Sequence, residues 1–433
     1  MKKTLLLLFA AFCGQAFAAE PAFTLKDNDT WVMAGDSITA QRLHSNYIEA
    51  FYRTRYPQWH LHFRNSGIGG NRTSNILERF DYDVAAWKPT LVSIELGMND
   101  VNVPNPESPD APKGYVDGMK KLADNIRAIQ AEPLFISSSP VNDGSVINAW
   151  ASVRCKTIHT FTEALLELGQ KEKVQVVDQY HPLIALWGPN KTLEDAGALA
   201  ARVRLFKPED HIPELQTLQA FAKSWEGKPD GISIGGDAVH TGPVGQYTMA
   251  ATILKALNAD REVSSATLKP NGTVVAAKSC KITDVESKGG KLSFTRLDER
   301  SPWPLLPGAA TAVKLMPEIA DLSRYTLTIP GLPAGQYRVA MNNQPVATLS
   351  NEELAKGWNM STVTAGPLGA RSTQILELIK QLQNPLNNDW RAASKEKDAG
   401  KLDAAQKAID ECEAKVQAAC QPVPIHFSIE PVK

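Results

Sequence analysis

The motif Gly35-Asp36-Ser37-Ile38 places a serine hydroxyl where it could act as a nucleophile. It directly follows an apolar run, Thr30 to Ala34, which predicts a buried strand. Ligand sites in open parallel sheets lie at the carboxyl ends of the strands, and the N–H groups of a following helix favour developing negative charge. Ser37 is therefore a candidate nucleophile for acyl transfer. A serine in this position also fits an ordinary helix N-cap, so this motif alone leaves both interpretations open.

A second motif, Asp237-Ala238-Val239-His240, could supply the acid–base pair that such a serine needs. An imidazole can accept the serine proton and pass it to the leaving group. A carboxylate three residues earlier can orient the ring and stabilise its protonated form. Asp237 and His240 are candidates for these two roles, although an isolated Asp-x-x-His is more often a helix cap beside a chance histidine.

Two further loops follow predicted strands and could bind an oxyanion. The loop Asn65-Ser66-Gly67-Ile68-Gly69-Gly70-Asn71 contains glycines that let a backbone approach a substrate closely. It lacks the Lys-Ser/Thr of a phosphate-binding loop and a full dinucleotide fingerprint, and a simple tight turn is the plainer interpretation. The loop Gly97-Met98-Asn99-Asp100 offers the amide of Asn99 as a donor to an oxyanion, or as an ordinary turn residue.

Taken together and in this order, the four motifs resemble those of the SGNH (GDSL-type) hydrolase family over roughly residues 28–260. The resemblance implies that Ser37 is the nucleophile and that His240 is the general base and then the general acid. It implies that Asp237 orients His240.

The same resemblance implies an oxyanion hole built from the N–H groups of Ser37 and Gly70 and the side chain of Asn99. Gly69 and Gly70 are adjacent, which leaves open a donor displaced by one residue. The first motif ends in Ile38 rather than leucine, a variation that leaves the chemistry unchanged. The implied mechanism is two-step acyl transfer through an acyl-enzyme, and it needs no metal or organic cofactor.

Alternating strand and helix patterns predict an α/β fold for the first half of the chain. Their order favours a doubly wound, mostly parallel sheet with helices on both faces, and the resemblance implies the flavodoxin-like three-layer sandwich of SGNH hydrolases. The predicted strands are Thr30–Ala34, Leu61–Arg64, Leu91–Leu96, Leu134–Ser137 and Val174–Asp178. The predicted helices span residues 42–56, 115–130, 150–169 and 244–258.

The chain is expected to hold a catalytic domain at 19–262 and a smaller C-terminal module at 263–433. Residues about 181–235, rich in charges and prolines, predict a helical or loop insert before the last catalytic motif. Short strands separated by Asn-Gly and Gly-Gly turns predict that the module is β-rich, with a helical insertion at about 350–420.

Two strand predictions concern pairing inside this module. Tyr325–Ile329 and Gln336–Ala340 flank the turn signal Gly331-Leu332-Pro333-Ala334-Gly335, which predicts a hairpin. Ile425–Glu430 is predicted to be a final strand that returns to the module.

The N-terminus has the pattern of a secretory signal peptide at 1–18. Lys2 and Lys3 precede the apolar run Leu5–Phe12, and Ala16-Phe17-Ala18 fits a small-x-small cleavage site. The run is shorter than the roughly 20 residues that span a bilayer, and no later segment is apolar enough, so we expect no membrane span. The predicted location is periplasmic or secreted, with cleavage near Ala18.

Four cysteines remain after that cleavage: Cys155, Cys280, Cys412 and Cys420. In an oxidising compartment they could form two disulfides, and the two that lie closest in sequence are the first pair to consider. If residues 411–419 form one unbroken helix, however, that pair lies about 12 Å apart, too far to bridge. The pairing stays open, and no spacing resembles a zinc site.

These observations predict an exported serine ester hydrolase that removes short acyl groups, such as acetyl, from a carbohydrate. The expected partner is an ester substrate, such as an acylated polysaccharide, and the formal net charge of -1 gives no electrostatic case for nucleic acid. Two alternatives are a lipid or thioester hydrolase of the same family and a non-catalytic carbohydrate-binding envelope protein. The sequence leaves open the acyl group, the alcohol, transfer in place of hydrolysis, and the oligomeric state.

Overall fold

A five-stranded parallel sheet lies at the centre of the first 260 residues. The computed structural model describes residues 24–141 and 152–432, so the predicted signal peptide at 1–18 lies outside the described residues. The strands are β1 Thr30–Gly35, β2 His62–Gly67, β3 Leu91–Glu95, β4 Glu132–Ile136 and β5 Gln175–Val177. Their order is β2-β1-β3-β4-β5, and every pairing is parallel. The strand interiors are almost wholly buried, as expected for a parallel sheet covered on both faces.

Helices cover both faces of this sheet. They are α1 Ser37–Ala40, α2 His44–Arg55, α3 Thr73–Asp83, α4 Lys113–Ala128, α5 Val153–Glu172, α6 Tyr180–Val203, α7 Leu215–Ser224 and α8 Pro243–Ala256. The chain moves from β1 to β2 in one direction and from β2 through β5 in the other. Since crossover connections are right-handed, α2 lies on one face and α3, α4 and α5 on the other. The packing agrees, because α2 contacts α8 whereas α4 contacts α3 and α5. The α/β, doubly wound prediction is confirmed; the helix predictions omitted α3.

The strand order brings the carboxyl ends of β2, β1 and β3 side by side. Gly35 at the end of β1 pairs with Gly67 of β2 and with Glu95 of β3. The three loops that begin there are the ones that contain the serine, glycine and asparagine motifs. The connections from β1 and to β3 run on opposite faces of the sheet, so the switch point lies between β1 and β3, which is where ligands bind in open α/β sheets.

The region predicted as an insert at 181–235 is mainly helical. Helix α6 runs to Val203 through Pro189, and α7 packs against it. The two helices share a small apolar core of Ala200, Val203 and Ala222. No helix within the described ranges is both long and apolar enough to cross a bilayer.

The C-terminal residues form two further sheets that enclose a second apolar core. The strands are β6 Glu262–Leu268, β7 Val274–Lys278, β8 Cys280–Lys288, β9 Lys291–Asp298, β10 Arg324–Thr328, β11 Gln336–Met341, β12 Gln344–Ser350, β13 Trp358–Asn359 and β14 Ile425–Pro431. One sheet has the order β13-β10-β6-β7 and the other β12-β11-β14-β9-β8. The predicted final strand pairs with β11 and β9, so it does return to the module.

The predicted hairpin between Tyr325–Ile329 and Gln336–Ala340 is wrong. Strand β10 pairs with β6 and β13, whereas β11 pairs with β12 and β14 in the other sheet. The glycine-rich segment does reverse the chain, but turn residues do not specify which edge the next strand joins. Burial decides it here, because Tyr325 and Leu327 on β10 and Val339 on β11 all point into the shared core.

The helices of the C-terminal part are α9 Ala312–Leu315, α10 Asn351–Lys356, α11 Gly366–Asn384, α12 Arg391–Glu396 and α13 Ala399–Cys420. Helix α10 packs on strands of the module itself, and the other four pack against helices of the first domain. Trp390 stacks on Trp87 with ring centroids 3.3 Å apart. Glu413 on α13 accepts hydrogen bonds from Arg64 at 2.7 Å and Arg53 at 3.4 Å. These contacts join the two parts of the chain through a buried charge network.

Helix α13 also settles the possible bridge between Cys412 and Cys420. The helix runs unbroken through both residues, so their side chains cannot meet. All four cysteines of the described residues, including Cys155 and Cys280, are unbridged. Cys412 and Cys420 are therefore the wrong pair to consider first, because residues eight apart on one helix lie about 12 Å apart.

Candidate active site

Ser37 occupies the turn between the end of β1 and the start of α1. Gly35 permits this turn, because a Cβ there would lie 2.1 Å from Thr39 Oγ1 and 2.8 Å from the Glu95 carbonyl oxygen. Asp36 caps the helix by accepting a hydrogen bond from the Ile38 N–H at 2.9 Å. The serine is thus the first helical residue, and Asp36 rather than Ser37 is the N-cap. The ordinary N-cap interpretation of Ser37 is therefore wrong.

Ser37, His240 and Asp237 are joined by hydrogen bonds. Ser37 Oγ lies 2.8 Å from His240 Nε2, and His240 Nδ1 lies 3.0 Å from Asp237 Oδ2. An ionised carboxylate only accepts, so Nδ1–H donates to Asp237 and Nε2 is left to accept the Ser37 proton. One direct contact thus joins two residues that lie 203 positions apart in the sequence.

The turn that carries Asp237 and His240 is rigidly specified by its own hydrogen bonds. Asp237 Oδ1 accepts from the N–H groups of Val239 and His240, both at 2.7 Å. Gly236 has φ +83°, and a Cβ there would lie 1.7 Å from the His240 carbonyl oxygen. The pKa of Asp237 is lowered to about 2, first by the His240 amide and imidazole and then by the Val239 amide. The carboxylate therefore stays charged beside the ring, although two thirds of its side chain is exposed.

The backbone and amide groups predicted to form an oxyanion hole surround Ser37. Gly69 lies beside the serine, since a Cβ there would be 3.9 Å from Ser37 Cβ, and Gly70 has φ +75° with open space around it. Within the described residues, the N–H groups of Ser37 and Gly70 donate to no other atom of the chain. Asn99 Nδ2 donates to the Asn71 carbonyl oxygen at 3.1 Å. The roles of Ser37, Gly70 and Asn99 as oxyanion donors stay predictions.

A buried polar layer lies directly beneath Ser37, and sequence reasoning missed it. Glu95 at the end of β3 accepts from Thr39 Oγ1 at 3.1 Å, from Gln179 Nε2 at 2.6 Å and from His44 Nε2 at 3.1 Å. Burial alone raises the pKa of Glu95, but its contacts with His44, Gln179 and Thr39 lower it overall. Burial alone lowers the pKa of His44, whereas Glu95 raises it. The two side chains therefore form a buried ion pair under α1.

This layer continues to the rim of the site through a glutamine pair. Gln246 on α8 accepts from the backbone N–H of His44 at 3.1 Å and lies 2.8 Å from its Nδ1. Its Nε2 donates to Gln41 Oε1 at 2.6 Å. None of His44, Glu95 and Gln246 could be selected from the sequence, because none lies in a motif or has a sequence neighbour of matching chemistry.

An open depression exposes the reactive atoms to solvent. Its lining residues are Ser37, Ala40, Gln41, Gly69, Gly236, Asp237 and His240. Between the lining and the buried layer lies Asp36, whose side chain is only 2% exposed. Burial first, and then the charge of Glu95, raise the pKa of Asp36 to about 7. The floor of the site therefore holds a carboxyl group that can be neutral near physiological pH.

Metal-binding side chains do not converge on this depression. Within residues 24–141 and 152–432, three or more histidine, cysteine or carboxylate ligand atoms come together at one place, on α5 and at the start of α6.

Comparisons with known proteins agree with this architecture. Residues 33–246 match the model of the GDSL-like Lipase/Acylhydrolase family. A 55-residue stretch is 38% identical to the acetylxylan esterase of Geobacillus stearothermophilus; it covers 13% of this chain and 25% of that enzyme. The chain thus spans about a quarter of the length of this curated relative.

A solved structure of a gut microbial diltiazem-metabolizing enzyme superposes over 95% of this chain and 100% of that chain, with a TM-score of 0.74 and 20% identity. That likeness establishes a shared fold, and the family match covers all three strand-end loops together with His240. Residues 33–246 of this chain therefore resemble the GDSL-like Lipase/Acylhydrolase family, whose model they match.

Proposed function

We propose that this protein is an exported serine esterase that removes short acyl groups, in particular acetyl, from a carbohydrate. The observation that carries the proposal is the chain of hydrogen bonds from Ser37 through His240 to Asp237. A weak oxygen nucleophile needs an adjacent base, and the base needs an oriented partner. These requirements are met at the mouth of an open depression, in a domain of an acylhydrolase family.

The reaction proceeds in two balanced steps. Ser37 Oγ attacks the carbonyl carbon while its proton moves to His240 Nε2, and the oxyanion is held by the N–H groups of Ser37 and Gly70 and by Asn99. The bond to the alcohol oxygen then breaks, and Nε2 returns the proton to that oxygen. Water attacks the acyl-enzyme with the same base, which releases the acid and restores the serine. Asp237 stays ionised throughout and stabilises the imidazolium.

The preference for a short acyl group rests on the lining of the depression. Glycine and polar side chains dominate it, and Ala40 is the one apolar side chain among the described lining residues. A long acyl chain gains about 0.8 kcal/mol for each CH₂ group that it buries, which requires an apolar tunnel. A carbohydrate substrate is supported by the acetylxylan esterase that a short stretch of this chain resembles.

Hydrolysis of p-nitrophenyl esters from acetyl to decanoyl, by the wild type and Ser37→Ala, tests the activity. We expect the acetyl ester to be cleaved fastest and Ser37→Ala to lose at least about 10³-fold in kcat. Ser224→Ala, at an exposed serine on α7, is the matched control and should keep full activity. Faster cleavage of long esters would replace the proposal by a lipid hydrolase, and full activity in Ser37→Ala would refute the nucleophile.

Acetate release from acetylated xylo-oligosaccharides then tests the substrate class. The proposal expects acetate to appear with wild type and not with Ser37→Ala. If model esters are inert, labelling by a fluorophosphonate decides between a narrow substrate range and a wrong mechanism. Labelling of wild type but not of Ser37→Ala supports a serine nucleophile, and no labelling contradicts it.

Export is part of the proposal because of the N-terminal pattern at 1–18. Expression of the full chain in a bacterium, followed by fractionation and N-terminal sequencing, tests it. A mature N-terminus close to residue 19 in the periplasm or medium supports export. A chain that keeps Met1 in the cytoplasm contradicts it.

A further inference from the structure

Two histidines and a glutamate converge where α5 meets the start of α6, beyond the carboxyl end of β5, and none of the three lines the depression around Ser37. His159 and Glu163 lie four residues apart on one side of α5, and His181 lies in the first turn of α6. One ligand atom from each of the three side chains lies within 4.8 Å of the other two. All three side chains are between 38% and 51% exposed, so an ion from solvent can reach them.

Asp178 fixes the orientation of His181. Its carboxylate lies 2.7 Å from His181 Nδ1, and it also accepts from the His181 backbone N–H at 3.2 Å. An ionised carboxylate only accepts, so Nδ1–H donates and the opposite nitrogen, Nε2, is the one directed at the cluster. A histidine held by a carboxylate in this way is the arrangement that orients metal ligands in proteins.

With Nδ1–H of neutral His181 donated to Asp178, the Nε2 atom of His181 and the facing Glu163 oxygen are both acceptors, and a cation between them would satisfy both. His181 Nε2 is 3.3 Å from Glu163 Oε1, and His159 Nε2 is 3.9 Å from the same oxygen. Ligand atoms about 2.0–2.1 Å from a tetrahedral zinc ion lie about 3.3 Å from one another. The first distance already fits, and movement of the exposed His159 side chain must shorten the other two, which are 3.9 Å to Glu163 and at most 4.8 Å to His181.

We propose that His159, Glu163 and His181 form a zinc-binding site, oriented by Asp178. Imidazole nitrogen and carboxylate oxygen are ligands that zinc accepts, and three protein ligands leave a fourth position for water. The site joins α5 to α6 beside the edge strand β5. It is separate from the esterase reaction, which needs no metal, and its bound ion stabilises the packing of these two helices.

Titration of the untagged full chain with zinc chloride, after dialysis against a chelator, tests the site. Calorimetry should detect one zinc ion in wild type that His159→Ala, Glu163→Gln and His181→Ala each bind more than about 100-fold more weakly. Asp178→Asn should weaken binding by about 10–100-fold, as expected for a residue that orients a ligand. His211→Ala, at an exposed histidine outside the cluster, is the matched control and should bind like wild type.

Two further measurements distinguish zinc binding from a purely structural role of these side chains. Zinc should raise the thermal midpoint of wild type and of His211→Ala but not of Glu163→Gln. Cobalt in place of zinc should give visible d–d absorption that His181→Ala lacks. The proposal is overturned if wild type binds no zinc, or if the three ligand variants bind it as wild type does.

Discussion

Replacing Asp36 by asparagine should remove a pH dependence of the stability of the first domain. The native state keeps a proton on Asp36 up to about pH 7, because its burial and the charge of Glu95 oppose ionisation. The unfolded chain releases that proton near the ordinary value of 3.8. Raising the pH between these values therefore favours the unfolded state, and the stability that is complete at low pH is lost as the pH passes through about 7.

The size of the effect follows from the two pKa values. One pH unit of difference corresponds to about 1.4 kcal/mol, so the interval from 3.8 to about 7 costs about 4 kcal/mol at alkaline pH. Asparagine has the shape of a protonated aspartic acid and its side-chain oxygen can still accept from the Ile38 N–H. Asp36→Asn should thus match wild type near pH 4 and be more stable by up to about 4 kcal/mol near pH 8.

Thermal unfolding of both proteins at several pH values measures this difference. For a domain of this size, 4 kcal/mol corresponds to roughly 8–16 °C in the midpoint. Asp81→Asn, at an exposed aspartate of α3, is the control that should leave the difference from wild type small at every pH. A constant difference between wild type and Asp36→Asn from about pH 4 to pH 8 would refute the reasoning.

Three other substitutions test the reaction and the join between the two parts of the chain. Asp237→Asn removes the charge that stabilises the imidazolium, and kcat for an acetyl ester should fall about 10²–10⁴-fold. Because the pKa of Asp237 is about 2, the wild-type pH–rate profile should show no inflection from this carboxylate above about pH 4. Asn99→Ala removes one oxyanion donor and should lower kcat about 10²–10³-fold with little change in KM. Glu413→Gln leaves the buried Arg64 without a carboxylate, while Arg53 keeps Glu49, and it should lower the free energy of unfolding by about 3–5 kcal/mol, measured by thermal unfolding.

For Asp237→Asn and Asn99→Ala, the circular dichroism spectrum should match that of wild type, and an unchanged kcat in either variant would contradict the assigned role. For Glu413→Gln, the control is Glu411→Gln on the same helix, which should leave the stability unchanged. Equal unfolding midpoints for these two variants would show that the buried network contributes nothing to stability.

The sequence could place Ser37, Gly70 and Asn99 near one another because a parallel sheet imposes it. Each follows a separate strand, and the carboxyl ends of parallel strands meet at one edge. Strand order remained undetermined until the structure placed β2, β1 and β3 as neighbours. Asp237 and His240 could be selected because the pair lies three residues apart, at a spacing that a single turn can bring into contact.

Two predictions for the C-terminal part were wrong, and each one paired segments that lie close together in the sequence. Turn signals marked where the chain reverses near Gly331, yet β10 and β11 joined different sheets. The two cysteines on α13 were close in sequence, yet the helix keeps them apart. Local composition indicated the strands and the helix in both cases. The partners of the two strands were decided by burial across the whole module.

The α/β class and the residues of the motifs could be predicted from the sequence, because periodicity and strand-end chemistry are local properties. Which side chains support the motif residues from below became known only from the folded structure. His44 and Gln246 are 202 residues apart and meet beneath the nucleophile, and Glu95 completes that layer from a third element. Likewise His181 joins His159 and Glu163 only once α6 is packed beside α5. No periodic pattern records such pairs, because their proximity depends on how separate elements bury their apolar faces against one another.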